Sequence, residues 1–209
     1  MSADYRSLTM ADGPAVLAVM KAASGGLGRL PEEMDLAWVA ESLGGALAGG
    51  VALGAWADGR LAGVIKAPRM PSVQFQHVLW DLTIATHPDF QGRGIGRGLF
   101  EAFFDAARAL DPPVERVELV VRHGLAHAIR LYEQMGFMQE GRFLRRFRGE
   151  CGHRYRGQPG QPDPGRRLAQ RGGLFRWQPL RHRQGHHGFH ADPHRDQRHL
   201  GSGRWRTGG

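Results

Sequence analysis

The chain has 209 residues and a single cysteine, so it is long enough to bury a sizeable core and cannot form an intrachain disulfide. Residues 1–150 hold 16 Lys and Arg against 17 Asp and Glu, whereas residues 151–209 hold 12 Arg against 3 Asp. The net charge of +8 therefore belongs to the C-terminal segment. No apolar stretch is long enough to span a bilayer and Met1–Thr9 lacks the apolar core of a signal peptide, which predicts a cytoplasmic protein with no membrane partner.

The sequence of the first part of the chain predicts helices and an antiparallel hairpin. A strand is expected over Tyr5–Thr9, followed by a helix in which apolar residues recur at helical spacing. A second helix is expected over Pro31–Leu43. Val51–Ala57 and Leu61–Lys66 flank the dipeptide Asp58-Gly59, which is typical of tight hairpin turns, so they are expected to pair as antiparallel strands.

The next part predicts alternating strands and helices. An extended segment, Val78–Thr86, leads through a glycine-rich loop into a helix over Arg97–Leu110. A β-rich run at Val114–Val121 precedes a helix over Leu125–Met135. Phe137 and the segment Gly141–Phe147 are expected to form one more strand. Hairpins followed by strand–helix repeats indicate an α/β fold with a mixed, mostly antiparallel central sheet flanked by helices.

Residues 151–209 have a different composition. They contain no Val, Ile, Met, Lys or Glu and are rich in Arg, Gly and His. Such a segment buries too little apolar surface to offset its ordering entropy. We therefore expect the domain to span residues 1–150 and residues 151–209 to be a basic tail that is disordered or the product of a shifted reading frame.

The tail could in principle hold a metal ion through its histidines or contact nucleic-acid phosphates through its arginines. No periodic helix or strand pattern presents these side chains, so we expect neither a metal site nor a nucleic-acid partner. The histidines concerned are His186, His187, His190 and His194.

The most informative stretch is the glycine loop, Gln91–Gly96. Glycines at alternate positions allow a ligand to approach the backbone, and the N-terminus of the following helix presents unpaired N–H groups. This combination suits a phosphate or pyrophosphate. The loop ends in Arg97-Gly98 instead of the Lys-Ser/Thr of a nucleotide-triphosphatase loop, and its glycine spacing fits the dinucleotide-binding fingerprint poorly.

Two blocks in the chain resemble the GNAT superfamily of acyl-CoA-dependent N-acetyltransferases. Gln91-Gly92-Arg93-Gly94-Ile95-Gly96 matches the family loop Gln/Arg-x-x-Gly-x-Gly/Ala, and Ala128–Phe137 matches Ala-Ile-x-Leu-Tyr-x-x-x-Gly-Phe. The resemblance covers about residues 79–142, is weaker over residues 1–78 and is absent after about residue 150. It implies a GNAT-like fold and direct transfer of an acetyl group from acetyl-CoA to a primary amine of a small molecule or peptide.

The resemblance also implies roles for individual residues. The loop would hold the CoA pyrophosphate, and the splayed end of the preceding strand, with Ile84 and Thr86, would leave N–H groups free for the thioester carbonyl. Tyr132 would protonate the departing thiolate, and Asp81 is the first candidate for the base that deprotonates the amine. The remaining residues expected to bind the cofactor are Gln91, Gly92, Arg93, Gly94, Ile95, Gly96 and Arg97.

Alternatives stay open at this point. Tyr132 could be a core aromatic, Asp81 could be an outward-facing polar residue, and His77, His87 or His123 could supply the base. The chain could also be a non-catalytic regulator that binds acyl-CoA, or could bind nucleic acid through its tail. A homodimer is compatible with the sequence.

Overall fold

A computed structural model of the chain describes residues 3–24, 30–122, 124–143 and 172–178. The described strands are β1 (Asp4–Ser7), β2 (Val51–Ala57), β3 (Arg60–Ala67), β4 (Val78–Leu79), β5 (Thr83–Thr86), β6 (Arg116–Arg122), β7 (Met138–Phe143) and β8 (Gly172–Trp177). The described helices are α1 (Gly13–Ala23), α2 (Leu36–Leu47), α3 (Ile95–Arg108) and α4 (Ala126–Gln134). The expected α/β class is confirmed. None of the helices in these ranges has the length and hydropathy needed to cross a bilayer.

The strands form two four-stranded sheets, in the orders β1-β2-β3-β5 and β4-β6-β8-β7. Only β4 and β6 pair in parallel among the described strands, and all other described pairs are antiparallel. The mixed, mostly antiparallel arrangement expected from the sequence is therefore confirmed. The described strands do not form one continuous central sheet: the two sheets separate between β5 and β6.

Helices cover both faces of the first sheet. Val16 and Val19 of α1 and Leu43 of α2 are buried in a cluster that includes Val64 of β3. On the opposite face, Ile65 of β3 belongs to a second cluster that contains the apolar stripe of α3. The buried residues of this stripe are Ile95, Leu99, Phe100, Phe103, Phe104 and Ala107. The apolar stripe of the loop helix thus faces the sheet, as its spacing predicts.

The expectation of one continuous strand over Val78–Thr86 is wrong. The first two residues pair with β6, and residues 83–86 pair with β3 in the other sheet. Between them, Asp81 has a φ of 48°, in the left-handed region that strand residues do not occupy. The chain is therefore redirected at Asp81 from one sheet to the other.

Other boundaries differ by a few residues. Pro31–Glu33 forms a 3₁₀ turn, and α2 begins only after Asp35, whose carboxylate accepts the Trp38 N–H at 2.7 Å. This side chain supplies the cap that fixes the helix start. The loop helix begins at Ile95 instead of Arg97. The last predicted strand begins earlier, at Met138, and residues 144–147 lie outside the described residues.

The domain boundary placed at residue 150 is wrong for one segment of the tail. Gly172–Trp177 forms β8, which lies between β6 and β7 and pairs with both. Phe175 and Trp177 are 1% and 8% exposed. Apolar side chains at alternate positions bury one face of this short strand, even though the surrounding composition is polar. The other residues of 151–209, with Cys151 and the four tail histidines, lie outside the described residues.

Candidate active site

One edge of β5 is unpaired at the division between the two sheets. The His87 N–H donates to the Ala62 carbonyl at 2.8 Å, in register with the β3–β5 ladder. Because hydrogen-bonded pairs alternate in an antiparallel ladder, the backbone groups of Ile84 and Thr86 face away from β3. Within the described residues no backbone hydrogen bond joins β5 to β6. Two N–H groups therefore face an opening between the sheets, which we call the β5–β6 gap.

The gap opens at a defined point. Val78 and Leu79 pair in parallel with the start of β6, and the Leu82 N–H still reaches the Glu118 carbonyl at 3.1 Å. Beyond this bond β5 follows β3 and diverges from β6. The left-handed backbone of Asp81 thus sits where the two strands separate.

The N-terminus of α3 offers uncapped N–H groups close to the end of β5. The first hydrogen bond of the helix runs from the Gly98 N–H to the Gly94 carbonyl at 3.1 Å. The N–H groups of Ile95, Gly96 and Arg97 consequently lack helical acceptors, and no side chain caps this end. They lie at the positive end of the helix dipole, which favours an anion.

At two positions the glycine loop has a backbone conformation that favours glycine. Gly92 and Gly94 have φ of 75° and 79°. A Cβ at either position would meet no heavy atom within 4 Å, so the space beside the loop is open. Open space, uncapped N–H groups and the nearby guanidinium of Arg97 fit a phosphate-bearing ligand. The side chain of Ile95 is buried in the core, so this residue offers only its backbone.

The loop rests on the β2–β3 hairpin through two crossed ion pairs. Arg93 of the loop lies 3.3 Å from Asp58 in the hairpin turn, and Arg60 of the hairpin lies 3.4 Å from Asp89 before the loop. Both guanidinium groups also lie over the buried ring of Phe90, at 5.0 Å and 5.5 Å from its centroid. Exposed ion pairs of this kind each contribute about 0.2–1 kcal/mol to folding stability. Their main effect is therefore to orient the loop on the hairpin.

Side chains also tie the loop to β5 and to α4. The Gln91 amide donates to the Thr86 carbonyl at 3.4 Å. Arg97 donates to the Gln134 side chain at 3.1 Å, and a Cβ on Gly96 would lie 3.4 Å from the Leu131 side chain. The second sequence block is therefore packed directly against the first.

Tyr132 lies on α4 among aromatic rings. Its ring centroid is 5.9 Å from that of Phe100, 6.0 Å from Phe137 and 6.3 Å from Phe175. No described residue accepts or donates a hydrogen bond at its hydroxyl. Burial raises the pKa of Tyr132 to about 12, because the apolar surroundings disfavour the phenolate. The hydroxyl therefore remains protonated throughout the physiological pH range.

Asp81 is exposed, and its backbone carbonyl accepts a hydrogen bond from the Thr83 hydroxyl at 3.3 Å. Its charge acts on Lys66, a buried residue of β3 that sequence analysis did not single out. Burial lowers the pKa of Lys66, and Asp81 opposes that shift. The signal was present in the sequence, since Lys66 interrupts the otherwise apolar run Leu61–Ala67.

The three alternative histidines differ in position. His87 caps a 3₁₀ turn, where its Nδ1 accepts the Asp89 N–H at 3.2 Å. His77 is exposed, and its carbonyl accepts the N–H groups of Glu115 and Arg116. His123 lies outside the described residues. The contacts of His87 are those of a turn residue.

The sequence model of the acetyltransferase (GNAT) family matches residues 24–137. Solved structures with the same fold include a ribosomal-protein-alanine N-acetyltransferase from Brucella melitensis, with a TM-score of 0.63 and 22% identity over 84% of this chain and 99% of that one. For an acetyltransferase of the GNAT family from Streptococcus pneumoniae, the TM-score is 0.67 and the identity is 18%, over 85% of this chain and 99% of that one. For a phosphinothricin acetyltransferase from Sinorhizobium meliloti, in complex with AcCoA, the TM-score is 0.67 and the identity is 16%, over 85% of this chain and 89% of that one. A comparison with curated proteins finds no match.

Proposed function

The chain belongs to the acetyltransferase (GNAT) family, and from this premise we propose that it transfers an acetyl group from acetyl-CoA directly to a primary amine of a small molecule or peptide. The observation that carries the proposal is the unpaired edge of β5 leading into the uncapped N-terminus of α3. The first feature suits a carbonyl oxygen and the second suits a pyrophosphate. Acetyl-CoA carries both groups and supplies the activated acetyl.

The glycine loop would bind the pyrophosphate. Gly92 and Gly94 supply the left-handed backbone, and the N–H groups of Ile95 and Gly96 point from an uncapped helix end. Arg97 adds a positive charge that has no carboxylate partner among the described residues. Gln91 acts indirectly, by holding the Thr86 carbonyl and with it the end of β5. Arg93 would assist as a second cation once released from its exposed pair with Asp58.

The β5–β6 gap would hold the thioester. The N–H groups of Ile84 and Thr86 face the gap, and a donor there would strengthen its hydrogen bond as negative charge develops on the carbonyl oxygen. Removing one such donor typically costs about 3–4 kcal/mol of transition-state stabilisation. These donors belong to the backbone, so side-chain substitution at Ile84 would leave them in place.

Tyr132 would donate its proton to the departing thiolate sulfur. A pKa of about 12 keeps the hydroxyl protonated, and the adjacent rings fix the orientation of the phenol. On the same helix as Tyr132, Gln134 accepts a hydrogen bond from Arg97 at the start of the loop helix. A general acid of this kind contributes roughly 10²–10⁴-fold in rate.

Asp81 would receive the proton of the attacking amine, directly or through water. Its exposed carboxylate stands where β4 ends and the β5–β6 gap begins. A negative charge there attracts an ammonium group before it loses its proton. The acetyl group would pass directly to the amine, because the chain's one cysteine, Cys151, lies outside both sequence blocks that carry the family resemblance.

An amine-panel assay tests this function. Full-length protein is incubated with acetyl-CoA and a set of amino acids, polyamines and peptides, while released CoA thiol and acetylated product are both quantified. Stoichiometric CoA and N-acetyl product support the proposal. Tight binding of acetyl-CoA with no product from any amine would instead identify a non-catalytic acyl-CoA-binding regulator.

A further inference from the structure

Lys66 is the buried charged residue that the proposed reaction leaves without a role. It is 5% exposed, and no other polar or charged side chain is buried among the described residues. Within the same residues its ammonium group has no hydrogen-bond acceptor, and the charge that acts on it is that of Asp81. Partial desolvation of an ammonium group without a close partner is unfavourable, so a function for this charge is expected.

The position of Lys66 relates it to the β5–β6 gap. On β3 it stands opposite Thr83, the first residue of β5 and the neighbour of Ile84. Side chains alternate between the two faces of a strand. Ile65 faces the cluster of α3, whereas Val64 faces the cluster of α1 and α2, so Lys66 lies on the face of α1 and α2.

Although α1 and α2 pack on this face, it is the one that remains for the acceptor, because α3 and the glycine loop lie on the other. The glycine loop and α3 lie on the other face, where the proposed reaction binds the CoA moiety. An amine that reaches a carbonyl in the gap would then approach from the face of Lys66. The ammonium of Lys66 and the carboxylate of Asp81 are close enough for their charges to interact, and they present opposite charges beside the point of attack.

We propose that Lys66 binds an anionic group, such as a carboxylate, on the amine acceptor, so that the preferred acceptors are amino acids or closely related zwitterions. This inference rests on the proposed function and narrows its substrate class. Asp81 would attract the acceptor's ammonium group, and Lys66 would attract its anionic group. The ammonium group and the carboxylate of an amino acid are thus complementary in charge to Asp81 and Lys66. Binding the carboxylate would offset the unfavourable burial of Lys66.

Matched ligands test the inference. Each amino acid of a panel is paired with its α-carboxamide, which keeps the amine and side chain but removes the negative charge. Binding to the CoA-loaded full-length protein is measured by calorimetry, and acetylation is measured with acetyl-CoA. We expect the acids to be preferred over the amides by about 10-fold or more, as for a hydrogen bond to a charged group.

Two variants locate the source of the preference. Lys66→Met removes the charge at similar length and should abolish the preference while leaving CoA affinity unchanged. Lys66→Arg keeps the charge and should retain part of it. Equal binding of acids and amides by the unaltered protein, or a preference that survives Lys66→Met, would overturn the inference. Absence of acetylation together with a Lys66-dependent preference in binding would instead contradict the proposed function and leave the anion site standing.

Discussion

The indole of Trp177 stacks on the ring of Phe104, with centroids 4.2 Å apart and an interplanar angle of 16°. The contact joins a strand from the polar C-terminal segment to the helix that carries the glycine loop. Trp177 also lies next to Gly136, where an added Cβ would be 3.5 Å from its ring. The C-terminal strand is thus part of the same core as the candidate site.

Truncation at residue 150 should therefore destroy the fold. It removes β8, so β6 and β7 lose the strand that pairs with both of them. The expected result is an insoluble fragment, or one that lacks a cooperative unfolding transition by circular dichroism. A fragment 1–150 with the stability of the full chain would contradict the placement of β8.

A point substitution gives a milder test of the same strand. Trp177→Ala should lower the free energy of unfolding by about 3–5 kcal/mol, the range for large aromatic residues in cores. The measurement is urea denaturation followed by circular dichroism. Trp80→Ala is the matched control, because Trp80 is 41% exposed and its removal should change stability much less. Equal losses from both variants would refute the buried position of Trp177.

The segments that the sequence failed to predict share a physical reason. β8 contains Gly172-Gly173 and no β-branched residue, and its alternating Phe175 and Trp177 are hidden within a long polar composition. The break at Asp81 interrupts a run of strand-forming residues that contains no glycine or proline from which a break could be predicted. Both features depend on pairing with strands distant in the sequence, which local propensity does not report.

The predictable parts are those that local chemistry determines. Asp58-Gly59 forms the expected hairpin turn with positive φ at both residues, 53° and 72°. Gly136 follows α4 with a φ of 87°, as expected of a residue just past a helix end. The glycine loop leads into a helix, as the sequence predicts, and Gly94 stands at the N-cap of that helix. The unpaired edge at Ile84, in contrast, was anticipated from family resemblance and not from its residue type.

Substitution of Tyr132 by Phe should separate chemistry from binding. The ring contacts with Phe100 and Phe137 stay, so the fold and acetyl-CoA affinity should be unchanged. Loss of the proton donor should lower kcat by about 100-fold or more. Tyr5→Phe serves as control, since Tyr5 packs on α3 at Gly98 and has no proposed chemical role. An unchanged kcat in the Tyr132 variant would eliminate it as the general acid.

The raised pKa of Tyr132 can be measured directly. Phenolate absorbance in an alkaline titration should show one group with a midpoint near 12, and this group should be missing in Tyr132→Phe. Because the folded pKa lies above the ordinary value of 10.0, ionisation favours the unfolded chain. The associated stability should be intact below pH 10.0 and should decline as the pH rises toward 12. A midpoint of 10 for every tyrosine would contradict the burial of this hydroxyl.

Gly94→Ala should impair the proposed pyrophosphate site. Alanine in the left-handed region costs roughly 1–2 kcal/mol, and the backbone would shift to relieve it, which misdirects the N–H groups of α3. We expect weaker CoA binding by calorimetry together with a modest loss of stability. Gly44→Ala is the matched control, because Gly44 lies in α2 with open space around its Cα. Unaltered CoA affinity in Gly94→Ala would argue against this loop as the binding site.

Lys66→Met should raise stability at neutral pH, and the gain should shrink as the pH rises. Burial holds the folded pKa of Lys66 below its ordinary value of 10.5, so between these two values the unfolded chain binds more protons than the folded one. The stability of the unaltered protein therefore increases with pH across that window, whereas methionine has no proton to lose. The free energies of unfolding of the two proteins, measured in urea at a series of pH values, should converge above pH 10.5.

The chain's other lysine provides the control for this comparison. Lys21 is exposed in the last turn of α1, where its charge is solvated, so Lys21→Met should show no such pH-dependent gain. A constant difference between Lys66→Met and the unaltered protein at all pH values would mean that Lys66 is not held in a buried, charge-disfavouring environment. Convergence of the two stabilities for Lys66→Met but not for Lys21→Met would instead support a desolvated ammonium beside the β5–β6 gap. An anionic group on the acceptor binds most favourably to an ammonium group in this state.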